Sequence, residues 1–199
     1  MVLQPEKLIC DFVGGAVGHR LAHGGGRGQA LPKAVGLKGN KKLHIVDATA
    51  GLGRDAFLLA SLGAEVTLIE RSKTMHDLLA DAMHRAAVHN SDFADIMARM
   101  TLVYGDAKDL LPNLAPQVVV IDPMHPPRKN SALVKKEMRL IRDIVGSDDD
   151  CVELMQIALE CATNRVVLKW PQKGDSMPDI PLPSHQILGK STRYDVFMI

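Results

Sequence analysis

The sequence predicts an α/β fold in which a mostly parallel β-sheet is covered by helices on both faces. Short apolar segments with the composition of strands alternate along the chain with longer segments of helical period, which is the pattern of a doubly wound sheet. The segment 118–121 is a continuous apolar run, as expected of a strand that is buried on both faces. With 199 residues, of which 46% are hydrophobic, the chain is long enough for one compact domain of this kind.

The chain is predicted to divide into a lead-in and a main domain. Residues 1–40 are rich in glycine, and only one short helix is expected there, near 31–35. We therefore interpret 1–40 as a glycine-rich, basic lead-in segment packed on the core, and 41–199 as the domain that carries the function.

Turn and cap signals mark the ends of the elements in the main domain. Gly63 ends the first helix, Ser72 caps the second, and Ser147 is expected to cap a later helix whose first turn holds three aspartates. Pro112 and Pro116 bracket a loop. The predicted strands are 43–47, 65–70, 101–104, 117–122, 165–169, 185–188 and 194–199, and the predicted helices are 54–62, 73–89, 92–98, 131–145 and the one after Ser147.

Composition and charge exclude several classes of protein. No apolar run is long enough to span a membrane, and the first twenty residues do not resemble a signal peptide, so we expect a cytoplasmic protein. The three cysteines form no C-x-x-C pair and are expected to be free thiols, and no metal site is predicted. The net charge is only +1, but residues 12–46 contain no acid, and residues 128–142 contain only Glu137. These two basic segments, expected to flank the site, favour nucleic acid as a partner.

A glycine-rich turn after the first strand of the main domain is the candidate cofactor loop. Ligands of doubly wound folds bind beyond the carboxyl ends of the strands. Asp47 ends the first strand, and Gly51 and Gly53 allow the backbone to turn tightly and to approach a ligand closely. Glu70 ends the second strand, where a carboxylate can accept hydrogen bonds from both ribose hydroxyls of an adenosine. The third strand is followed by Gly105-Asp106, which we expect near the adenine edge.

This loop fits two kinds of cofactor. The run Gly51-Leu52-Gly53-Arg54-Asp55-Ala56 matches the G-x-G-x-x-A fingerprint of dinucleotide-binding folds. However, a diphosphate at this helix N-terminus would meet the carboxylate of Asp55, which repels it. A zwitterionic amino acid suits the position better, because Arg54 and Asp55 can bind its carboxylate and its ammonium. The residues therefore favour S-adenosylmethionine (SAM), and a nicotinamide dinucleotide stays the alternative.

The candidate chemistry loop is Asp122-Pro123-Met124-His125-Pro126-Pro127, directly after the fourth predicted strand. It resembles the D/N-P-P-Y/F loop of enzymes that methylate exocyclic amines of bases or glutamine amides. A carboxylate and a backbone carbonyl in such a loop accept the two N–H bonds of the amine and direct its lone pair toward the methyl group. We expect Asp122 and the Pro123 carbonyl to bind the amine, and His125 to stack on a base.

Five segments carry a resemblance to a known family: DFVGG at 11–15, GGGRG at 24–28, DATAGLGRDA at 47–56, DPM at 122–124 and SALVKKEMR at 131–139. Together they are similar to the ribosomal RNA small subunit methyltransferase J family, over roughly residues 8–199. That family transfers a methyl group from SAM to N2 of a guanosine in 16S rRNA. The resemblance shows two departures. His125 stands where the family usually has an aromatic residue, and family members usually carry a further N-terminal segment before the 11–15 motif.

The resemblance implies a class I methyltransferase-like (Rossmann-type) fold, with a doubly wound, mostly parallel, seven-stranded sheet and an antiparallel C-terminal strand. It also implies SAM as the cofactor and 16S rRNA or the small ribosomal subunit as the partner. The expected cofactor residues are Asp47, Gly51, Gly53, Arg54, Asp55, Glu70, Arg71, Gly105, Asp106 and Asp122. The expected RNA-binding residues are Arg27, Arg128, Lys129, Lys135, Lys136 and Arg139.

Two other functions stay open on the sequence alone. A methyltransferase acting on a protein amide or a small amine would share the Asp122-Pro123 loop but would not need the basic segments. An NAD-dependent dehydrogenase or a non-catalytic nucleotide-binding module would share the glycine turn, although the chain has no room for a separate substrate domain.

Overall fold

A seven-stranded sheet is the framework of the chain. The computed structural model describes residues 8–14, 26, 28–38, 42–124, 141, 144, 150–189 and 191–199. Within those residues, the strands are β1 (His44–Asp47), β2 (Glu65–Glu70), β3 (Met100–Tyr104), β4 (Val118–Ile121), β5 (Arg165–Pro171), β6 (His185–Leu188) and β7 (Thr192–Met198). The helices are α1 (Ala30–Ala34), α2 (Arg54–Ser61), α3 (Lys73–Ala87), α4 (Ser91–Met97), α5 (Ala107–Leu110) and α6 (Cys151–Cys161), with a 3₁₀ turn at Leu111–Asn113.

The strand order is β3-β2-β1-β4-β5-β7-β6. β1 to β5 pair with one another in parallel, whereas β7 is antiparallel to both β5 and β6. The predicted fold class, a mostly parallel sheet with an antiparallel C-terminal strand, is confirmed.

Strand β4 shows why the sheet needs helices on both faces. Its four residues are all buried, and successive side chains of a strand point to opposite faces. Val118 and Val120 belong to a core shared with α1, α2, α3 and α4. Val119 and Ile121 belong to a second core shared with α5 and α6. Each such side chain contributes about 1.5–3 kcal/mol when it is fully buried.

Two predicted features differ from the structure. The loop expected between the two prolines contains a 3₁₀ turn that begins at Leu111 and holds Pro112, because proline has the backbone angle that the start of such a turn requires. α6 begins at Cys151 with Asp150 as its N-cap, so Asp150 precedes the first turn instead of lying in it. Ser147 and the predicted helix 131–145 fall outside the described residues, apart from Ile141 and Ile144.

The described part of the lead-in packs beneath the candidate cofactor loop. The Cys10 thiol donates to the Leu52 carbonyl oxygen at 3.4 Å, and the Phe12 ring stacks on Phe57 of α2 at 5.0 Å. Arg85 of α3 donates to the Cys10 carbonyl oxygen at 2.7 Å. This segment therefore supports the turn between β1 and α2 from the core side. The division of the chain near residue 40 stays a prediction.

Candidate active site

A cavity of about 490 Å³ lies at the carboxyl ends of the strands, where the order of the sheet reverses. The chain runs from β1 outward to β3 on one side and from β4 to β5 on the other, and doubly wound folds bind ligands at this switch point. Asp47 ends β1 and Asp122 follows β4. The cavity volume falls within the range of about 300–1,000 Å³ that small-molecule sites have.

The turn after β1 lines this cavity and is tied to both neighbouring strands. The Ala48 N–H donates to the Val120 carbonyl oxygen at 2.9 Å, and the Ala50 N–H donates to the Ile69 carbonyl oxygen at 3.2 Å. Gly51 lines the cavity with a φ of +53°, a conformation that a residue with a Cβ adopts at a cost. The glycine therefore presents bare backbone to a ligand.

Gly53 has a different place from the one predicted for it. Its φ is +66°, and a Cβ there would lie 2.8 Å from Leu79 Cδ1 and 3.1 Å from Phe12 Cζ. It is the N-cap of α2 and faces the core, not the cavity lining. Its structural role is to let the start of α2 pack closely against α3 and the lead-in.

Glu70 is fixed at the end of β2 by its neighbours. One carboxylate oxygen, Oε2, accepts from the Gly51 N–H at 3.0 Å, and Oε1 accepts from the Ser72 N–H at 2.8 Å. The residue is buried yet lines the cavity. Because each carboxylate oxygen has two lone pairs, the group can also accept from the hydroxyls of a ribose.

Asp47 is a buried carboxylate in the cavity wall, with 4% of its surface exposed. Burial raises the pKa of Asp47 to about 7, the Asp55 carboxylate adds to this rise, and the hydrogen bond from the Thr49 N–H opposes it. That bond joins Thr49 N to Asp47 Oδ1 at 3.2 Å. A cation that binds beside this carboxyl group would therefore lower its pKa and favour its ionised form.

Lys169 is a site residue that sequence reasoning missed. Its Nζ lies 2.7 Å from Asp55 Oδ2 and 2.8 Å from Asp122 Oδ2, so one ammonium joins the candidate cofactor loop to the candidate chemistry loop. Burial opposes its charge, but the two carboxylates hold the pKa of Lys169 above its ordinary range. A signal was available, because Lys169 ends the predicted strand 165–169 and carboxyl ends of parallel strands carry the sites of such folds.

The first three residues of the chemistry loop also line the cavity. The Asp122 N–H donates to Thr49 Oγ1 at 2.7 Å, which ties this loop to the turn after β1. Pro123 is buried and Met124 is half-buried. The predicted proximity of the two loops is therefore present in the structure.

The opposite side of the cavity combines an ion-pair network with apolar walls. Asp150 Oδ2 accepts from Arg71 Nη1 at 2.9 Å and from Lys108 Nζ at 3.0 Å. Lys108 also pairs with Glu153 of α6 at 2.7 Å. This network joins β2, α5 and α6 at the rim. Apolar contacts come from Ile69, Ala107, Ile141, Cys151 and Leu154.

The structure thus brings most of the predicted cofactor residues to one cavity. Those that line it are Asp47, Gly51, Arg54, Asp55, Glu70, Arg71, Gly105, Asp106 and Asp122. The predicted residues outside the described part of the chain are Arg27, His125, Arg128, Lys129, Lys135, Lys136 and Arg139.

The described part of the first basic segment does not flank this cavity. Lys42 lies two residues before His44, the first residue of β1. Lys33 and Lys38 lie close to Ala34, whose carbonyl oxygen accepts from Arg165 at the start of β5. These three exposed lysines are therefore at the opposite edge of the sheet from the site.

The cavity fits SAM better than a dinucleotide. Among the described lining residues, six carboxylates stand against four cationic side chains, which disfavours a diphosphate and favours a cationic sulfonium and an ammonium. Glu70 can accept from a ribose, and the apolar walls suit an adenine ring.

Among the helices that the structure describes, none combines the length and the apolar character that a membrane span requires.

Comparisons with known proteins agree with this fit. A family model described as "Putative SAM-dependent methyltransferase" matches residues 3–199. Ribosomal RNA small subunit methyltransferase J of Agrobacterium fabrum is 66% identical over 98% of this chain and 94% of its own length. The protein of the same name from Marinobacter nauticus is 48% identical over 98% of this chain and 71% of its own length.

A solved structure of a SAM-dependent methyltransferase has the same fold as this chain. The crystal structure of a SAM-dependent methyltransferase from Neisseria gonorrhoeae superposes with a TM-score of 0.76 and 35% identity, covering 100% of this chain and 77% of that one. The dinucleotide alternative is thereby set aside. With the switch-point cavity, its carboxylates and these relatives together, the chain belongs to the ribosomal RNA small subunit methyltransferase J family of SAM-dependent methyltransferases.

Proposed function

We propose that this enzyme transfers a methyl group from SAM to the exocyclic N2 of a guanosine in 16S rRNA of the small ribosomal subunit. The observation that carries the proposal is the position of Asp122 beside the cofactor loop, bound there by Thr49 and Lys169. The names of the relatives support the RNA substrate, and such a substrate implies a cytoplasmic enzyme.

The cofactor is assigned to the residues that line the cavity. Asp47 and Asp55 are suited to the ammonium of its amino acid, Arg54 to its carboxylate, and Glu70 to its ribose hydroxyls. Arg71, Gly105 and Asp106, which also line the cavity, are assigned to its adenosine. When bound, SAM supplies an electrophilic methyl group on a sulfonium.

The substrate amine is assigned to the chemistry loop. The N2 amine of guanine is a weak nucleophile because its lone pair is delocalised into the ring. The Asp122 carboxylate and the Pro123 carbonyl would accept its two N–H bonds and direct the lone pair out of the ring plane. A strong general base is not required, because the amine loses its proton after the transfer. We propose that His125 stacks on the base.

The basic residues outside the cavity are proposed to bind the RNA backbone. These are Arg27, Arg128, Lys129, Lys135, Lys136 and Arg139. Each phosphate contact adds affinity that falls as salt rises.

The function is tested by replacing Asp122. Small subunits from cells that lack this protein are incubated with labelled SAM, and the nucleosides are identified. We expect wild type to form N2-methylguanosine and Asp122→Ala to lose about 10²-fold in rate, a much larger factor than its loss of affinity for S-adenosylhomocysteine in calorimetry. Unchanged transfer by Asp122→Ala would contradict the role of Asp122, and methylation of a different atom would contradict the assigned product.

A further inference from the structure

Lys169 stands where the two functional loops meet, and the sheet fixes it there. The parallel pairing of β4 with β5 runs up to Ile121 and Leu168, so Asp122 and Lys169 leave neighbouring strands side by side. On the other side, Lys169 pairs with Tyr194 of β7. Its side chain is 21% exposed and its ammonium lies within 2.8 Å of a carboxylate oxygen from each loop. The strand pairing thus places the backbone of Lys169 beside the chemistry loop, and the two ion pairs hold its ammonium between the loops.

The charges around Lys169 are mostly negative. Asp55 approaches from α2 and Asp122 from the end of β4. The carboxylates of Asp55 and Asp122 raise the pKa of Asp47, at the end of β1, and the Lys169 ammonium lowers it.

The remaining charged groups near this end of the sheet have their own partners. On β7, Arg193 pairs with Asp195 at 2.9 Å. At the rim, the carboxylates of α6 and its N-cap pair with Arg71 and Lys108, and Arg54 lines the cavity on α2. Lys169 therefore places one positive charge among the three carboxylates from β1, α2 and the chemistry loop.

A purely structural explanation for this lysine is weak. The ammonium and the two carboxylates keep only 21%, 26% and 40% of their side-chain surfaces exposed, and replacing a buried ion cluster as a whole by apolar groups is often neutral or stabilising for the fold. A methionine would fill a similar volume on β5 without charge. The arrangement is better explained by what it does to Asp122.

We propose that Lys169 is a positioning residue for methyl transfer, which holds the Asp122 carboxylate ionised and aimed at the substrate amine. This inference rests on the proposed function of the Asp122 loop. A carboxylate has about four acceptor positions, so the bond to Lys169 leaves capacity for the amine. Through Asp55, the same ammonium keeps the chemistry loop in register with the turn that binds the cofactor.

The test compares Lys169→Met with Lys169→Arg in the full-length protein. We expect Lys169→Met to lower the transfer rate under saturating substrates by about 10–100-fold, while affinity for S-adenosylhomocysteine is retained. The thermal midpoint should fall, because two carboxylates lose the ammonium that they share, and it should recover in Lys169→Arg. The acid limb of its rate against pH should move to higher pH, because an opposite charge at this distance favours the ionised carboxylate. Lys169→Arg should recover most of the rate. Lys173→Met, at an exposed position four residues along the same segment, is the matched control and should behave as wild type.

A second readout needs no RNA. Carbon-13 NMR of the aspartate carboxyls in the cofactor-free protein, assigned with Asp122→Asn, should show Asp122 taking up its proton at higher pH in Lys169→Met than in wild type. An unchanged titration, an unchanged rate, or a loss of cofactor affinity equal to the loss of rate would each overturn the proposal. If wild type does not methylate rRNA, the proposed function fails, whereas the NMR titration still decides the role of Lys169.

Discussion

At the scale of single residues, Asp47 shows how an ordinary carboxyl group acquires an altered pKa from its place in a fold. It ends a strand that is buried on both faces, so its carboxylate is removed from water at the bottom of the cavity. Two further carboxylates raise its pKa in addition to burial. The sequence predicted the position of Asp47 but not this shift, because the shift depends on Asp55 and Asp122, which only folding brings near.

The pKa of Asp47 predicts a pH dependence of stability. The folded protein holds the proton up to about pH 7, whereas the unfolded chain releases it near the ordinary aspartate pKa of 3.8. The stabilisation from protonated Asp47 is therefore complete below about pH 4 and is lost as the pH rises to about 7.

Urea unfolding of wild type and Asp47→Asn at several pH values measures this effect. Since the asparagine does not titrate, the difference between their unfolding free energies should fall by up to about 4 kcal/mol from pH 4 to pH 7 and then level off. A difference that stays constant with pH would contradict the raised pKa of Asp47.

At the scale of elements, two glycines with positive φ allow the cost of backbone strain to be compared with the cost of overpacking. Gly53 begins α2 with a φ of +66°, and Gly63 follows the same helix with a φ of +98°. A Cβ at Gly53 would overlap Leu79 and Phe12, whereas a Cβ at Gly63 would meet no described atom within 4 Å. The helix therefore has a constrained start against the core and an open end.

This contrast predicts unequal effects of alanine at the two positions. Gly63→Ala should lower the free energy of unfolding by about 1–2 kcal/mol, the cost of a left-handed conformation. Gly53→Ala should lower it by about 1–3 kcal/mol more, because the extra methyl overpacks the core. Denaturant unfolding compares the two variants, and equal losses would show that packing at Gly53 has no separate effect.

Most elements could be predicted from local signals, and the exceptions have physical causes. Ser72 accepts from the Met75 N–H as an N-cap should, and Gly63 ends α2 with a positive φ. Asp150 was expected to stabilise a helix dipole from within the first turn. In the structure its carboxylate instead binds Arg71 and Lys108, which lie 79 and 42 positions away in the chain, and a local pattern carries no information about such partners.

At the scale of the whole molecule, charge is distributed between two edges of the sheet. The cavity at the carboxyl edge is lined by more carboxylates than cations. Three exposed lysines of the first basic segment, at 33, 38 and 42, lie at the amino edge. The affinity for RNA at the site is therefore expected to depend on the basic residues of 128–142 and not on these lysines.

Charge reversal tests this expectation. Lys135→Glu, Lys136→Glu and Arg139→Glu combined should weaken binding of small-subunit rRNA and reduce the slope of log affinity against log salt by about 2. The matched control, Lys33→Glu, Lys38→Glu and Lys42→Glu combined, should retain affinity, as measured by filter binding over a salt series. Equal effects of the two triple variants would contradict a specific RNA-binding role for 128–142. No effect of either would favour a small amine or a protein amide as the substrate.

The sequence by itself determined the order and type of the seven strands and of most described helices, the cofactor turn and the chemistry loop, but not the helix α5 or the 3₁₀ turn after it. These follow from periodicity, from glycine and proline, and from residues adjacent to strand ends, such as Asp47 and Asp122, all of which act over a few positions. The tertiary structure alone decided that Lys169 bridges Asp55 and Asp122, that Gly53 faces the core, and that Asp47 holds its proton to about pH 7. Those properties arise from groups that are distant in the chain, and burial and Coulomb energy depend on where the fold places them.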